Sequence, residues 1–175
     1  MRVLIVCNSR CGSTNLMKSI SSYYEIPYLF EPFTKQKEIP MYGDVVVKSL
    51  INHSTVSNYI ELSKHFDKVI LLSRRDIIGM SESLYWVSKT WEKNGYKKDG
   101  EYHLSEYEFN EGIDVTEKDL YNKVVDRINM LKSLSNELNI PIDYYEDIFY
   151  KDKKLIDTEI GLDLKYLDNS LKLRK

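Results

Sequence analysis

The sequence predicts an α/β protein, a three-layer α/β/α sandwich on a mainly parallel sheet, and three observations predict it. Five apolar runs, Val3–Cys7, Tyr28–Phe30, Val45–Val47, Val69–Leu72 and Ile140–Tyr144, are short and rich in β-branched or aromatic residues, the habit of strands buried on both faces. Helical patterns over Ser13–Tyr24, Thr55–Phe66, Ile77–Trp91 and Glu117–Leu138 lie between them, and such alternation places helices on both sides of a parallel sheet. The chain also opens by running a strand through a loop of small residues straight into a helix. Its 175 residues suit a single domain, 1–175, without an internal repeat or low-complexity linker.

In chain order, the first strand leads through Asn8-Ser9-Arg10-Cys11-Gly12 to the first helix, with Ser13 as the expected N-cap. The second strand ends at Glu31-Pro32 and the third at Lys48. Ser54, Asp76 and Thr116 are the expected caps of the second, third and fourth helices. The stretch Lys93–Gly112, with three glycines and several tyrosines, is long for a connection; it reads as a loop or an acceptor lid over about 93–115. Ligands of open α/β sheets sit beyond the C-terminal strand ends, so Arg10, Glu31, Lys48 and Arg75 are expected at one rim.

A formal charge of −2 argues against a general polyanion-binding surface, so no nucleic-acid partner is expected and any nucleotide must be held by locally placed cations. Cys7 and Cys11 stand alone as C-x3-C, a pattern that neither zinc nor a disulfide framework requires. They read as reduced thiols. Cys11, beside a helix start and Arg10, has a setting that lowers a thiol pKa; the plainer reading is a small loop filler. No apolar run approaches the ~20 residues of a membrane helix and no secretory pattern opens the chain, so the expectation is a cytoplasmic protein without a membrane partner.

The loop between the first strand and helix is an anion-binding design. A helix start offers unpaired N–H groups and the positive end of the macrodipole, and Gly12 is expected to let a charged ligand approach the backbone. Arg10 adds a forked cation suited to phosphate or sulfate. Two common phosphate loops are excluded. The nucleotide-hydrolase form needs G-x-x-x-x-G-K-[ST], and no Gly-Lys pair is present. A small phosphatase of the low-molecular-weight kind needs an arginine six positions after its cysteine, where this chain has Ser13 after Cys7.

Ser9-Arg10-Cys11-Gly12-Ser13-Thr14 resembles the 5′-phosphosulfate loop, P-[KR]-S-G-[ST]-[ST], of sulfotransferases that use 3′-phosphoadenosine 5′-phosphosulfate (PAPS). Lys68-Val69-Ile70-Leu71-Leu72-Ser73-Arg74-Arg75-Asp76 with Ser83 resembles the family's 3′-phosphate segment, a strand-end arginine with a serine eight residues on. Its Arg-Arg-Asp form is similar to the bacterial branch that sulfates carbohydrates. Ile140-Pro141-Ile142-Asp143-Tyr144-Tyr145-Glu146-Asp147-Ile148, then Ile160-Gly161-Leu162, is similar to the family's late strand, Tyr-Glu-Asp-Leu turn and closing helix end. The likeness covers roughly two-thirds of the chain, and nothing matches over 90–115.

The resemblance implies a P-loop-like sulfotransferase fold and transfer of a sulfuryl group from PAPS to a hydroxyl or amine of a carbohydrate or small molecule. PAP would be the product, and no metal is required. Arg10 and Lys48 are expected to neutralise the departing phosphate; Arg10, Cys11, Gly12, Ser13, Thr14 and Asn15 would cradle the 5′-phosphate, and Arg75 and Ser83 the 3′-phosphate. The family's Lys-Thr-His becomes Lys48-Ser49-Leu50, which removes its histidine. Glu31, in Glu31-Pro32, resembles the glutamate base of the carbohydrate-sulfating branch, and His53 is the rival. Each residue has a plainer reading: a strand lysine reaching solvent, ordinary helix caps, a solvated helix serine, Arg74 and Asp76 pairing locally. Tyr85, Trp86 and Trp91 are candidates for stacking on an acceptor, though aromatics at helical spacing are usually core. The basic end Lys172-Leu173-Arg174-Lys175 reads as further cations or a frayed tail. The alternatives are a non-catalytic nucleotide- or sulfate-binding protein of the same fold, or a nucleotide kinase of related fold.

Overall fold

Residues Val3 to Cys7 carry apolar side chains to both faces of the sheet, and all five are wholly buried, which makes β1 (Arg2–Cys7) the central strand. The computed structural model describes residues 1–34, 38–94, 119–151 and 154–155. Helix α1 (Ser13–Tyr24) follows β1, then come β2 (Tyr28–Phe30), β3 (Val45–Leu50), a 3-10 turn (Ile51–His53), α2 (Val56–Ser63), β4 (Lys68–Ser73) and α3 (Ile77–Asn94). Helix α4 (Asp119–Leu138), β5 (Ile142–Tyr144) and α5 (Tyr145–Phe149) complete the main body, and β6 (Tyr150–Lys151) with β7 (Lys154–Leu155) forms a separate antiparallel pair. The five-stranded sheet has the order β2-β3-β1-β4-β5 and is parallel throughout.

This order fixes where the helices lie. The β1-to-β2 connection crosses β3 in one direction, and the β3-to-β4 connection crosses β1 in the other. Right-handed crossovers must therefore put α1 and α2 on opposite faces. The core divides accordingly. Val3, Ile5 and Cys7 pack with Leu16, Met17 and Ile20 of α1, Met80 of α3 and Phe149 of α5. Leu4 and Val6 pack with Tyr59 of α2 and with Leu131 and Leu134 of α4. Connections that leave neighbouring strands toward opposite faces open a crevice at their C-terminal ends, here between β1 and β3. Among the described residues no helix is long and apolar enough to cross a membrane.

Several local expectations change. Gly12, not Ser13, is the N-cap of α1: its carbonyl accepts the first helical bond, from Leu16 N–H at 3.1 Å, while its backbone sits at φ 75°, ψ 8°. Glycine enters that left-handed region without penalty, whereas Ser13 already has helical geometry. Thr55 rather than Ser54 caps α2, accepting from Asn58 N–H at 3.2 Å, and Ser54 Oγ instead accepts from the Asn58 side chain. The second helix stops at Ser63 because Lys64, His65 and Phe66 turn to the tighter pattern of bonding three residues back. Asp76 does cap α3, with Oδ1 accepting Gly79 N–H at 2.8 Å. The third strand runs on to Leu50, so Lys48 lies within it, in register with Ile5 and Phe30. The proposed lid beyond the backbone of α3, the Thr116 cap, Ile160-Gly161-Leu162 and the basic C-terminal end lie outside the described residues.

Candidate anion site at the β1 and β3 ends

Beyond Cys7 the chain continues one bond further into the sheet, with Asn8 N–H donating to Leu72 O at 3.1 Å, and then turns. Asn8 organises that turn. Its side-chain amide donates to Val124 O of α4 at 3.3 Å, and its Oδ1 accepts Ser9 N–H at 2.8 Å. Cys11 Sγ points inward and donates to Asn8 O at 2.9 Å. Burial pushes the Cys11 thiol well above its ordinary pKa, so it fills the space under the loop and is not an activated thiol; what it can offer a ligand is its N–H. The first turn of α1, Ser13, Thr14 and Asn15, presents N–H groups with no acceptor four residues back, and the N-cap, Gly12, has no side chain to cap them.

Gly12 also meets a packing need. A Cβ at this position would lie 2.7 Å from Tyr145 Cδ2 and 2.8 Å from Phe149 Cε2, so the space left by its missing side chain is occupied by the rings of α5. The glycine lets α5 pack beneath the loop, and the loop is held from below by two aromatic rings 4.8 Å apart.

Arg10 also adopts the left-handed region, φ 60°, as does Glu31 at φ 45°. Two other non-glycine residues with positive φ have ordinary reasons: Glu25 is the C-cap of α1, and Asn139 directly follows α4. Arg10 and Glu31 sit instead at the strand-end rim, where backbone strain is commonly stored. The Arg10 turn sends its guanidinium toward α3, where Nε donates to Ser83 Oγ at 2.8 Å. Glu31 is pinned by its own N–H donating to Lys48 O at 2.8 Å, and its carboxylate pairs with Lys48 Nζ. Both side chains of this pair are nearly closed off from solvent, 4% exposed for Lys48 and 12% for Glu31. Phe30 supports the ammonium, which lies 4.3 Å from its ring centre.

His53, on the turn after β3, is half-buried and its Nδ1 is buried without a hydrogen-bond partner among the described residues. Burial lowers its pKa, Glu31 opposes that shift, and Lys48 and Arg127 reinforce it. Both base candidates thus belong to one electrostatic neighbourhood. Arg127 of α4 was not legible as a site residue, because a lone charge in an amphipathic helix reads as solvated. It is half-buried, and its Nη1 donates to Ser9 Oγ at 2.8 Å.

The expected 3′-phosphate pair is not brought together by hydrogen bonds. Ser83 holds Arg10, whereas Arg75 forms a two-pronged pair with Asp147, at 2.7 and 2.6 Å, and lies over Tyr144. Glu146 accepts the backbone N–H groups of Arg75 and Asp76, so the Glu146-Asp147 turn clamps the start of α3. Arg74 pairs with Asp76 as expected, at 2.8 Å. Trp86 packs on Val87 and meets Tyr85 edge-on, in a small cluster outside the two main cores; the Trp91 side chain lies outside the described residues. No protein-family model and no curated protein matches the chain.

Proposed function

We propose that the chain is a PAPS-dependent sulfotransferase of P-loop-like fold that sulfates a hydroxyl or amine of a carbohydrate or small molecule. The observation that carries this reading is the buried Lys48–Glu31 pair beside the β1 loop. PAPS would supply a sulfuryl group whose transfer needs charge neutralisation on the departing phosphate and removal of the acceptor's proton. A cation and a carboxylate, held as one pair by adjacent strands, are suited to those two tasks.

The donor set suits the 5′ side of the nucleotide. The uncapped first turn of α1 with Arg10 would hold the 5′-phosphate, Lys48 would face the oxygen that leaves, and Arg75 and Ser83 remain the residues for the 3′-phosphate. An anion at the loop competes with Glu31 for the Lys48 ammonium. Glu31, relieved of its cation, becomes a stronger base and takes the acceptor's proton, so proton removal is tied to donor binding.

A second reading, non-catalytic binding of a nucleotide or sulfate, is favoured by one feature: Arg75 is already engaged by Asp147. Calorimetry without Mg²⁺, followed by sulfur-labelled PAPS added to a lysate of the source organism, separates the readings. Sulfation predicts tight 3′,5′-ADP binding, far weaker 5′-AMP and ATP binding, and a labelled product. Equal affinity for 3′,5′-ADP and 5′-AMP would refute it, and tight binding without transfer would leave the second reading.

A further inference from the structure

The β1 loop carries one guanidinium of its own and is approached by a second from α4, and only the first was expected. Arg10 turns toward α3 and Ser83; Arg127 reaches the preceding loop residue, Ser9, from α4. Arg74 and Arg75 pair with carboxylates, which offset their charge. Arg127 has no carboxylate partner among the described residues, although it is half-buried. A hydroxyl partner fixes the guanidinium without neutralising it, and a partly desolvated cation left in that state is stabilised when an anion arrives.

Its position says which anion. Helix α4, which carries Arg127, packs against the turn that carries His53, and Arg127 and Lys48 both lower the His53 pKa, whereas Arg10 Nε bonds Ser83 of α3. The buried Nδ1 of His53, without a hydrogen-bond partner among the described residues, is a second polar group on that side. We infer that Arg127, with Lys48 and His53, forms a subsite for a tetrahedral sulfate-like group on the β3 side of the loop, distinct from the nucleotide phosphates held by Arg10 and α1. In the sulfotransferase reading, on which this assignment to the transferred group rests, Arg127 contacts the sulfuryl oxygens.

The test is calorimetric titration of inorganic sulfate at constant ionic strength, with and without saturating 3′,5′-ADP, on wild type, Arg127→Gln, Arg127→Lys and Ser9→Ala. Loss of a charged hydrogen-bond partner is expected to weaken sulfate about 10-fold or more in Arg127→Gln. Arg127→Lys should recover part of that loss, and 3′,5′-ADP affinity should stay within about 2-fold throughout. Ser9→Ala, which keeps the cation, should lose far less than Arg127→Gln. The inference is overturned by wild type that takes up no sulfate in either condition. It is equally overturned by Arg127→Gln that binds sulfate like wild type, or by Ser9→Ala that loses as much as Arg127→Gln. Failure of wild type to bind 3′,5′-ADP is a separate result: it sinks the sulfotransferase reading, while the titration without nucleotide still decides the role of Arg127.

Discussion

Separating Lys48 from Glu31 should destabilise the protein asymmetrically, and the structure indicates the order. Removing one partner of a buried ion pair costs about 3–5 kcal/mol, mostly because the other charge is left uncompensated. Lys48→Met leaves the Glu31 carboxylate in a site only 12% exposed, and the full range applies. Glu31→Gln leaves the Lys48 ammonium over Phe30, a contact worth about 0.5–2 kcal/mol, so this variant should lose less, about 1–4.5 kcal/mol. The double variant buries no net charge and should sit within about 1.5 kcal/mol of wild type. Urea unfolding measures all four proteins. With a slope of about 2 kcal/mol per molar, Lys48→Met should shift the midpoint by about 1.5–2.5 M, with the double variant recovering most of the shift. The same proteins report on function: Glu31→Gln should cut kcat by about 10²–10⁴ without weakening 3′,5′-ADP, because Lys48 is freed for the phosphate. Single losses below about 1 kcal/mol, or a double loss equal to their sum, would refute the idea of a coupled buried pair.

Gly12→Ala should cost about 2–5 kcal/mol by thermal or urea unfolding, from backbone strain at φ 75° together with a collision against Tyr145 and Phe149; a loss under about 1 kcal/mol would mean that α5 yields easily. If a 3′-phosphate uses Arg75, Asp147 is its competitor, so Asp147→Asn should tighten 3′,5′-ADP by about 2–5-fold, leave 5′-AMP unchanged and move the role elsewhere if neither changes. The Arg75 hydrogen bonds hold the Asp147 carboxyl below its ordinary pKa. Stability from that pair is therefore present above the unfolded value and fades as pH falls through the acid range, a slope that Asp147→Asn should flatten. His53 has the same sign for a different reason. Burial depresses its folded pKa, so the unfolded chain binds more protons below about pH 6.5 and stability falls with pH from there. Melting temperatures from pH 7.5 to 5 should drop less in His53→Gln than in wild type, and parallel curves would place the pH dependence on another group.

The strands and most helices were legible because their signal is local. A parallel strand buried on both faces is apolar at consecutive positions, so Val3–Cys7 and Val69–Leu72 announce themselves without knowledge of their neighbours. The helix caps were less legible, since Ser13 and Ser54 have suitable side chains but the decision fell to backbone geometry at Gly12 and to the next residue, Thr55. The site divides along the same line. Of the four residues expected at one rim, Glu31 and Lys48 meet as a direct result of β2 lying beside β3, whereas Arg10 bonds Ser83 of α3 and Arg75 pairs with Asp147.

Partner choice among the cations has no comparable signal. Arg10 meets Ser83, Arg75 meets Asp147 and Arg127 meets Ser9 across separations of 73, 72 and 118 residues, and local spacing carries no record of such choices. Those choices still matter for function, because a guanidinium held by a carboxylate must give up that partner before it can bind a phosphate, whereas one held by a hydroxyl keeps its charge for the ligand. Glu146 and Asp147, whose residues resemble a turn of the sulfotransferases, hold the start of α3 and engage Arg75. Arg127 comes from a helix that carried no resemblance, yet it reaches the loop with a hydroxyl as its only partner among the described residues. The anion site is thus set less by which cations the chain contains than by which of them the fold leaves uncompensated, and on that criterion Arg127 is the residue on which the sulfate-like subsite depends.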